Sequence, residues 1–155
     1  MILIDTSGLL AAMFSDQNRH AECAAALLDA EPPRIMSPFV LAELDYMIVK
    51  YAGVDAEMRF LQEIETRVYD IAQITIQDII EAHHIVSQYK SLRIGLADAM
   101  TVHLANRFSC RDVLTLDERH FRAMSPRGRR GFRILPADSS PSAEKMKRAA
   151  RSRRR

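Results

Sequence analysis

Apolar residues in this chain follow two rhythms: short unbroken runs, and longer stretches where they return every third or fourth position. The runs Ile2-Leu3-Ile4, Arg34-Ile35-Met36, residues 68–71, Val113-Leu114-Thr115-Leu116 and residues 132–135 predict buried strands, being short, β-branched and bounded by polar or turn residues. Helical spacing predicts helices over 8–14, 17–30, 55–65, 95–107 and 118–124. Ser37-Pro38 is a cap followed by proline at the first helical position, and it opens a helix that Gly53 closes. Its apolar stripe is Phe39, Val40, Leu44, Met47, Ile48 and Tyr51. Thr75-Ile76-Gln77-Asp78 has the form of a capping box and opens a long helix reaching about residue 90. Strands alternating with helices predict an α/β fold whose mainly parallel sheet is covered on both faces. No internal repeat interrupts the pattern.

Composition narrows the picture. With 155 residues, 48% of them apolar, the chain has material for one packed domain, which excludes disorder as a description of the whole. No apolar run approaches the roughly eighteen residues of a membrane span, and Met1 to Ile4 meets Asp5 without a basic leader, so no signal peptide is expected. Cys23 and Cys110 are too few for a disulfide scaffold, and a cytoplasmic location is expected. The net charge of +2 conceals two unlike parts: residues 1–136 carry −3, and residues 137–155 carry +5. The first part reads as the folded domain and the second, rich in Ser, Pro, Ala and basic residues, as a disordered tail.

Four acids stand out by position. Asp5 and Asp117 each follow an apolar strand, so in a parallel sheet both lie at the carboxyl edge, where open α/β folds place their sites. An aspartate there also serves as a simple turn or cap residue. Glu43 falls within its helix's apolar stripe, four residues after Phe39 and four before Met47, and is expected to point at the core. An unpaired carboxylate there would cost several kcal/mol; the alternative is a stripe-edge residue reaching outward. Asp98 occupies the first turn of a helix apolar almost all round, which marks a buried element, although an acid at a helix start also complements the helix dipole. Arg119 is the nearest basic residue to Asp117, and no fixed cation accompanies Asp5 or Glu43. Carboxylates that converge without cations repel one another, and a divalent metal relieves this. All-oxygen ligands favour Mg²⁺ or Mn²⁺ over Zn²⁺, and the chemistry such ions serve is mostly phosphoryl transfer. With five glycines and no phosphate-cradling loop, the phosphate belongs to a polymer or small ester rather than to a nucleotide cofactor. All five histidines are expected to be structural or surface residues.

Ile4-Asp5-Thr6-Ser7, Val40-Leu41-Ala42-Glu43, Ile94-Gly95-Leu96-Ala97-Asp98-Ala99 and Leu114-Thr115-Leu116-Asp117 occur in that order. On these motifs residues 1–136 resemble the PIN-domain ribonucleases, in particular the VapC-type toxins of bacterial toxin–antitoxin pairs. The resemblance implies a PIN-like three-layer α/β/α sandwich. It implies that Asp5, Glu43, Asp98 and Asp117 are catalytic and bind one or two Mg²⁺ or Mn²⁺ ions, and that an activated water cleaves an RNA phosphodiester to leave a 5′-phosphate and a 3′-hydroxyl. Thr6, Ser7 and Thr115 would orient acids or water, or act only as caps. A homodimer held inactive by a VapB-type antitoxin is implied, with structured RNA as substrate, either a tRNA or a ribosomal RNA loop; residues 37–46 and 115–121 lean toward the ribosomal branch. RNA-backbone contacts would fall to Arg93, Arg119, Arg122, Arg129 and Arg130. The tail after residue 136 departs from the family. A noncatalytic PIN-like RNA- or protein-binding module is the competing reading, disfavoured because none of the four acids is missing. A haloacid-type phosphatase would want an aspartate where Ser7 stands, and a phospho-receiver would want paired acids and a late lysine.

Overall fold

Ile2-Leu3-Ile4, the most apolar of the predicted strands, forms the centre of the molecule. The computed structural model describes residues 1–128 and 130–139. Strand β1 (Ile2–Ile4) lies between β2 (Arg34–Met36) and β4 (Asp112–Leu114); β3 (Asp70–Ile71) flanks β2, and β5 (Arg133–Leu135) flanks β4. Every pairing is parallel, with Leu3 opposite both Ile35 and Val113, Ile35 opposite Asp70, and Val113 opposite Ile134. The connections carry α1 (Thr6–Met13), α2 (His20–Asp29), α3 (Pro38–Ala52), α4 (Val54–Glu65), α5 (Ile76–Gln88), α6 (Leu96–Phe108) and α7 (Glu118–Ala123).

Strand side chains alternate between faces, and the core divides accordingly. Ile2, Ile4, Met36 and Leu114 pack with Leu9 of α1, Val40 and Leu44 of α3, and Phe60 of α4. Leu3, Ile35, Val113 and Ile134 pack with Ile85 of α5, Met100 and Leu104 of α6, and Phe121 of α7. The result is the expected α/β/α sandwich. Each fully buried Leu, Ile or Phe stabilises it by about 1.5–3 kcal/mol. The strand order runs outward from β1 in one direction through β2 and β3, and in the other through β4 and β5. The carboxyl ends of β1 and β4 therefore flank the topological switch point, the crevice where open parallel sheets bind ligands.

Several boundaries differ from the pattern-based expectation, each for a local reason. Helix α1 starts at Thr6 rather than residue 8 because Asp5 itself caps it. Helix α2 starts at His20 because Arg19 turns left-handed, φ 60°. Strand β3 shrinks to two residues because Arg67 turns left-handed, φ 59°, and Val68 N–H donates back to the Glu63 carbonyl at the end of α4. Strand β4 stops at Leu114: Thr115 N–H still donates to Leu135 of β5, but the Leu116 N–H donates to Ser7 Oγ and so leaves the sheet ladder. In α3 the buried row is only Val40, Leu44 and Ile48, while Met47 and Tyr51 of the predicted stripe are exposed. Contacts of the fold continue past residue 136, for Ala137 packs on the second core cluster and Asp138 accepts from Ile134 N–H at 2.8 Å. Most of the expected tail, residues 140–155, lies outside the described residues, as does Arg129. Among the described residues no helix is long and apolar enough to cross a membrane.

Candidate functional site

Asp5 leaves the central strand directly into the switch-point crevice and is buried. Its Oδ2 accepts from Ser7 Oγ at 2.7 Å, Thr115 Oγ1 at 2.7 Å and Ser7 N–H at 3.3 Å. Each hydroxyl has one proton, and both point at this oxygen. The lone pairs of Ser7 Oγ and Thr115 Oγ1 then accept from Leu116 N–H and Asp117 N–H, each at 2.9 Å. The 3.1 Å between the two hydroxyls is thus a contact rather than a further hydrogen bond. This lattice ties the start of α1 to the end of β4. It is possible because residue 8 is glycine: a Cβ there would lie 2.4 Å from the Leu114 carbonyl oxygen.

Glu43 corrects the sequence reading. It is exposed rather than aimed at the core, since the buried row of α3 passes beside it. Its place at the site comes from Thr6, whose Oγ1 donates to Glu43 Oε2 at 2.6 Å. Asp98, half-buried in the first turn of α6, reaches back to accept from Gly95 N–H at 3.2 Å. Asp117 caps α7, its Oδ1 accepting from His120 N–H at 2.9 Å.

The four acids sense one another. Burial chiefly pushes the Asp5 carboxyl above its ordinary range; hydrogen bonds from Ser7 and Thr115 oppose this, and the Asp98 charge adds to it. Burial likewise dominates at Asp98, opposed by Gly95 N–H and His120 and reinforced by the charges of Asp117 and Glu43. Asp5 Oδ1, Glu43 Oε1 and Asp98 Oδ1 accept no hydrogen bond among the described residues. Free oxygens on mutually repelling carboxylates, with no lysine or arginine set among them, have the donor chemistry of a hard-cation site. Among the described residues, however, no three Asp, Glu, His or Cys side chains are already arranged to hold a metal ion.

His120 also comes to the acids, a placement the sequence reading did not single out. Its Nδ1 sits 2.9 Å from Asp117 Oδ2 and 3.3 Å from Asp98 Oδ2, yet it is buried and makes no aligned hydrogen bond. The available signal was its position three residues after the helix-capping Asp117. Of the basic residues singled out, Arg93, Arg119 and Arg130 are exposed. Arg122 is held by Asp138 at 2.6 and 2.8 Å and by Glu118 at 3.2 Å, so its guanidinium is already engaged. Arg19, not singled out, approaches Glu118 at 3.6 Å and brings a cation to the rim. The cavity of about 330 Å³ lined by Tyr89, Asn106 and Arg127 lies between α5, α6 and the 125–128 loop, away from the acids.

Residues 2–125 match the PIN domain family. Ribonuclease VapC26 of Mycobacterium tuberculosis (strain ATCC 25618 / H37Rv) is 39% identical over 135 residues, which is 87% of this chain and 100% of that protein. The crystal structure of Mycobacterium tuberculosis VapC20, a sarcin–ricin loop cleaving toxin, has the same fold: TM-score 0.73 at 17% identity, covering 79% of this chain and 95% of that one.

Proposed function

This chain belongs to the PIN-domain family, and from that premise we propose that it is a divalent-metal-dependent endoribonuclease, a toxin of the VapC type. The observation that carries the reading is the acid cluster at the switch point, with Asp5 and Asp98 pushed up by burial and mutual charge and one oxygen of each left free. Asp5, Glu43, Asp98 and Asp117 would hold Mg²⁺ or Mn²⁺. When bound, such an ion supplies Lewis-acid polarisation of a phosphodiester and acidifies the attacking water. Ser7 and Thr115 hold the Asp5 carboxylate through Oδ2, which leaves Oδ1 for a ligand, and Thr6 holds Glu43. Arg93, Arg119 and Arg130 are the exposed cations for the RNA backbone, where phosphate contacts give affinity rather than sequence choice.

Identity to Ribonuclease VapC26 over nearly the whole chain supports RNA as the substrate, and the fold shared with VapC20 is compatible with a ribosomal RNA loop or a tRNA as target. A VapB-type antitoxin as inhibitor and a cytoplasmic location belong to the same reading. Exposed Tyr46, Met47, Val54 and Met58 on α3 and α4 support a protein partner, and exposed Ile76, Ile79 and Ile80 on α5 support pairing with a second copy. The test is cleavage of total and ribosomal RNA by the purified chain with Mg²⁺ or Mn²⁺, followed by mapping of the new 5′ ends. EDTA is expected to abolish cleavage, and so is Asp98→Asn. Cleavage unaffected by either would sink the reading, and RNA binding without cleavage under all ions would favour a noncatalytic module.

A further inference from the structure

We propose that His120 is a positioning residue whose imidazole fills, in the ion-free protein, the place between Asp98 and Asp117 that a divalent cation takes, and that the ring swings out for the cation to enter. The inference rests on the metal-dependent reading of the site. Four observations carry it. His120 Nδ1 is shared between two carboxylates, 2.9 Å from Asp117 Oδ2 and 3.3 Å from Asp98 Oδ2, and is aligned with neither. The nitrogen thus stands where two carboxylates converge, without the geometry of a bond to either, and a cation entering between them would have to displace the ring. Among the described residues no lysine or arginine pairs with Asp98 or Asp117, and the imidazole is the group set between them. Finally, the ring can move without unravelling its helix. The His120 backbone N–H remains bonded to Asp117 Oδ1 whatever the side chain does, and the side chain is 18% exposed, giving it a way toward solvent. The same arrangement gives a physical reason why three ligands are not already gathered around one point: two of the acids are turned onto the imidazole.

The inference has a signature of opposite sign to that of a ligand or a simple structural prop. The full-length protein is stripped of metal, and Mn²⁺ binding is measured by calorimetry for wild type, His120→Ala, His120→Asn and Asp98→Asn. His120→Ala is expected to bind Mn²⁺ about tenfold more tightly, because no imidazole then has to leave its place between the two carboxylates on loading. His120→Asn keeps an N–H near the position of Nδ1 and is expected to fall close to wild type. Without metal, His120→Ala is expected to melt below wild type and to gain more from saturating Mn²⁺, by linkage. Equal or weaker Mn²⁺ binding in a folded His120→Ala overturns the proposal. If that variant does not fold, the wild-type imidazole decides: in nitrogen-detected spectra of His120, the Nδ1 signal must shift as the ring leaves the carboxylates at saturating Mg²⁺, and an unchanged Nδ1 overturns the proposal. Loss of binding in Asp98→Asn is the control. Wild type that binds no Mn²⁺, or binding that survives Asp98→Asn, refutes the metal-site reading itself rather than the role of His120.

Discussion

Asp98 carries two opposing demands. Its carboxyl is raised by burial and by neighbouring acids, so the ionised form is disfavoured in the fold. A carboxyl raised on folding makes the ion-free protein lose stability as pH climbs above the ordinary carboxylate value of about 3.9. Asp98→Asn is therefore expected to raise the melting temperature at pH 7 in chelator, while cleavage falls by at least about a hundredfold, on the scale of losing one preorganised electrostatic group; melting curves and single-turnover cleavage check the two halves. Thr115→Val deletes the hydroxyl that donates to Asp5 and accepts from Asp117 N–H. It leaves a buried donor unpaired, at a cost of about 1–3 kcal/mol, and is expected to lower activity by about 10–100-fold with the acids intact. At this scale the place of Asp5 was legible because it follows its strand directly, whereas Asp117 stands three residues beyond β4 and was legible only as a cap. Glu43 was legible for the wrong reason, since a helical stripe does not reveal how narrow the buried row is, nor that Thr6 on another helix draws the side chain in. His120 was not legible, because its meaning depends on Asp98 approaching from α6.

Helix α1 shows how one atom positions an element. Replacing Gly8 by alanine gains about 1 kcal/mol of helix propensity but drives a Cβ to 2.4 Å from the Leu114 carbonyl oxygen. Overpacking costs of about 1–3 kcal/mol outweigh the gain, and the shift carries Thr6 and Ser7 with it. Gly8→Ala is expected to lower both the melting temperature and the cleavage rate. On the opposite face, Asp78 joins α5 to α6. Its Oδ2 accepts from Thr75 N–H and Oγ1 at 2.7 and 2.6 Å, and its Oδ1 lies 2.7 Å from His103 Nε2. These bonds, Thr75 foremost, hold its carboxyl well below the usual range. The stabilisation is present above the unfolded value near 3.9 and is lost as pH falls through the folded one. Asp78→Asn is expected to destabilise by about 1–2 kcal/mol at pH 7, with the gap to wild type closing below about pH 4 in denaturant titrations. The capping box was legible at Thr75, but its tie to His103 was not. Element existence and order could be read throughout. Boundaries failed where a side chain far along the chain decided them, as Ser7 does for β4.

As a whole the molecule sets an acidic crevice within a body of net charge −3. A polyanionic substrate must therefore be drawn by local basic residues. With cleavage silenced by Asp98→Asn, removing both Arg93 and Arg119 is expected to reduce the slope of log affinity against log salt by about one to two, measured on the mapped RNA target. The parallel sheet and its two-faced core were legible from alternation alone, and so was the carboxyl edge as the place of Asp5. The faces of α3, α4 and α5 left apolar to solvent were not, because sequence periodicity does not distinguish a buried stripe from one awaiting a partner. The lattice that orders the crevice joins Asp5 to Thr115 and Ser7 to Leu116, residues 110 and 109 positions apart. A chain still being synthesised thus carries its first acid early but cannot assemble a working centre until β4 and the cap of α7 have left the ribosome.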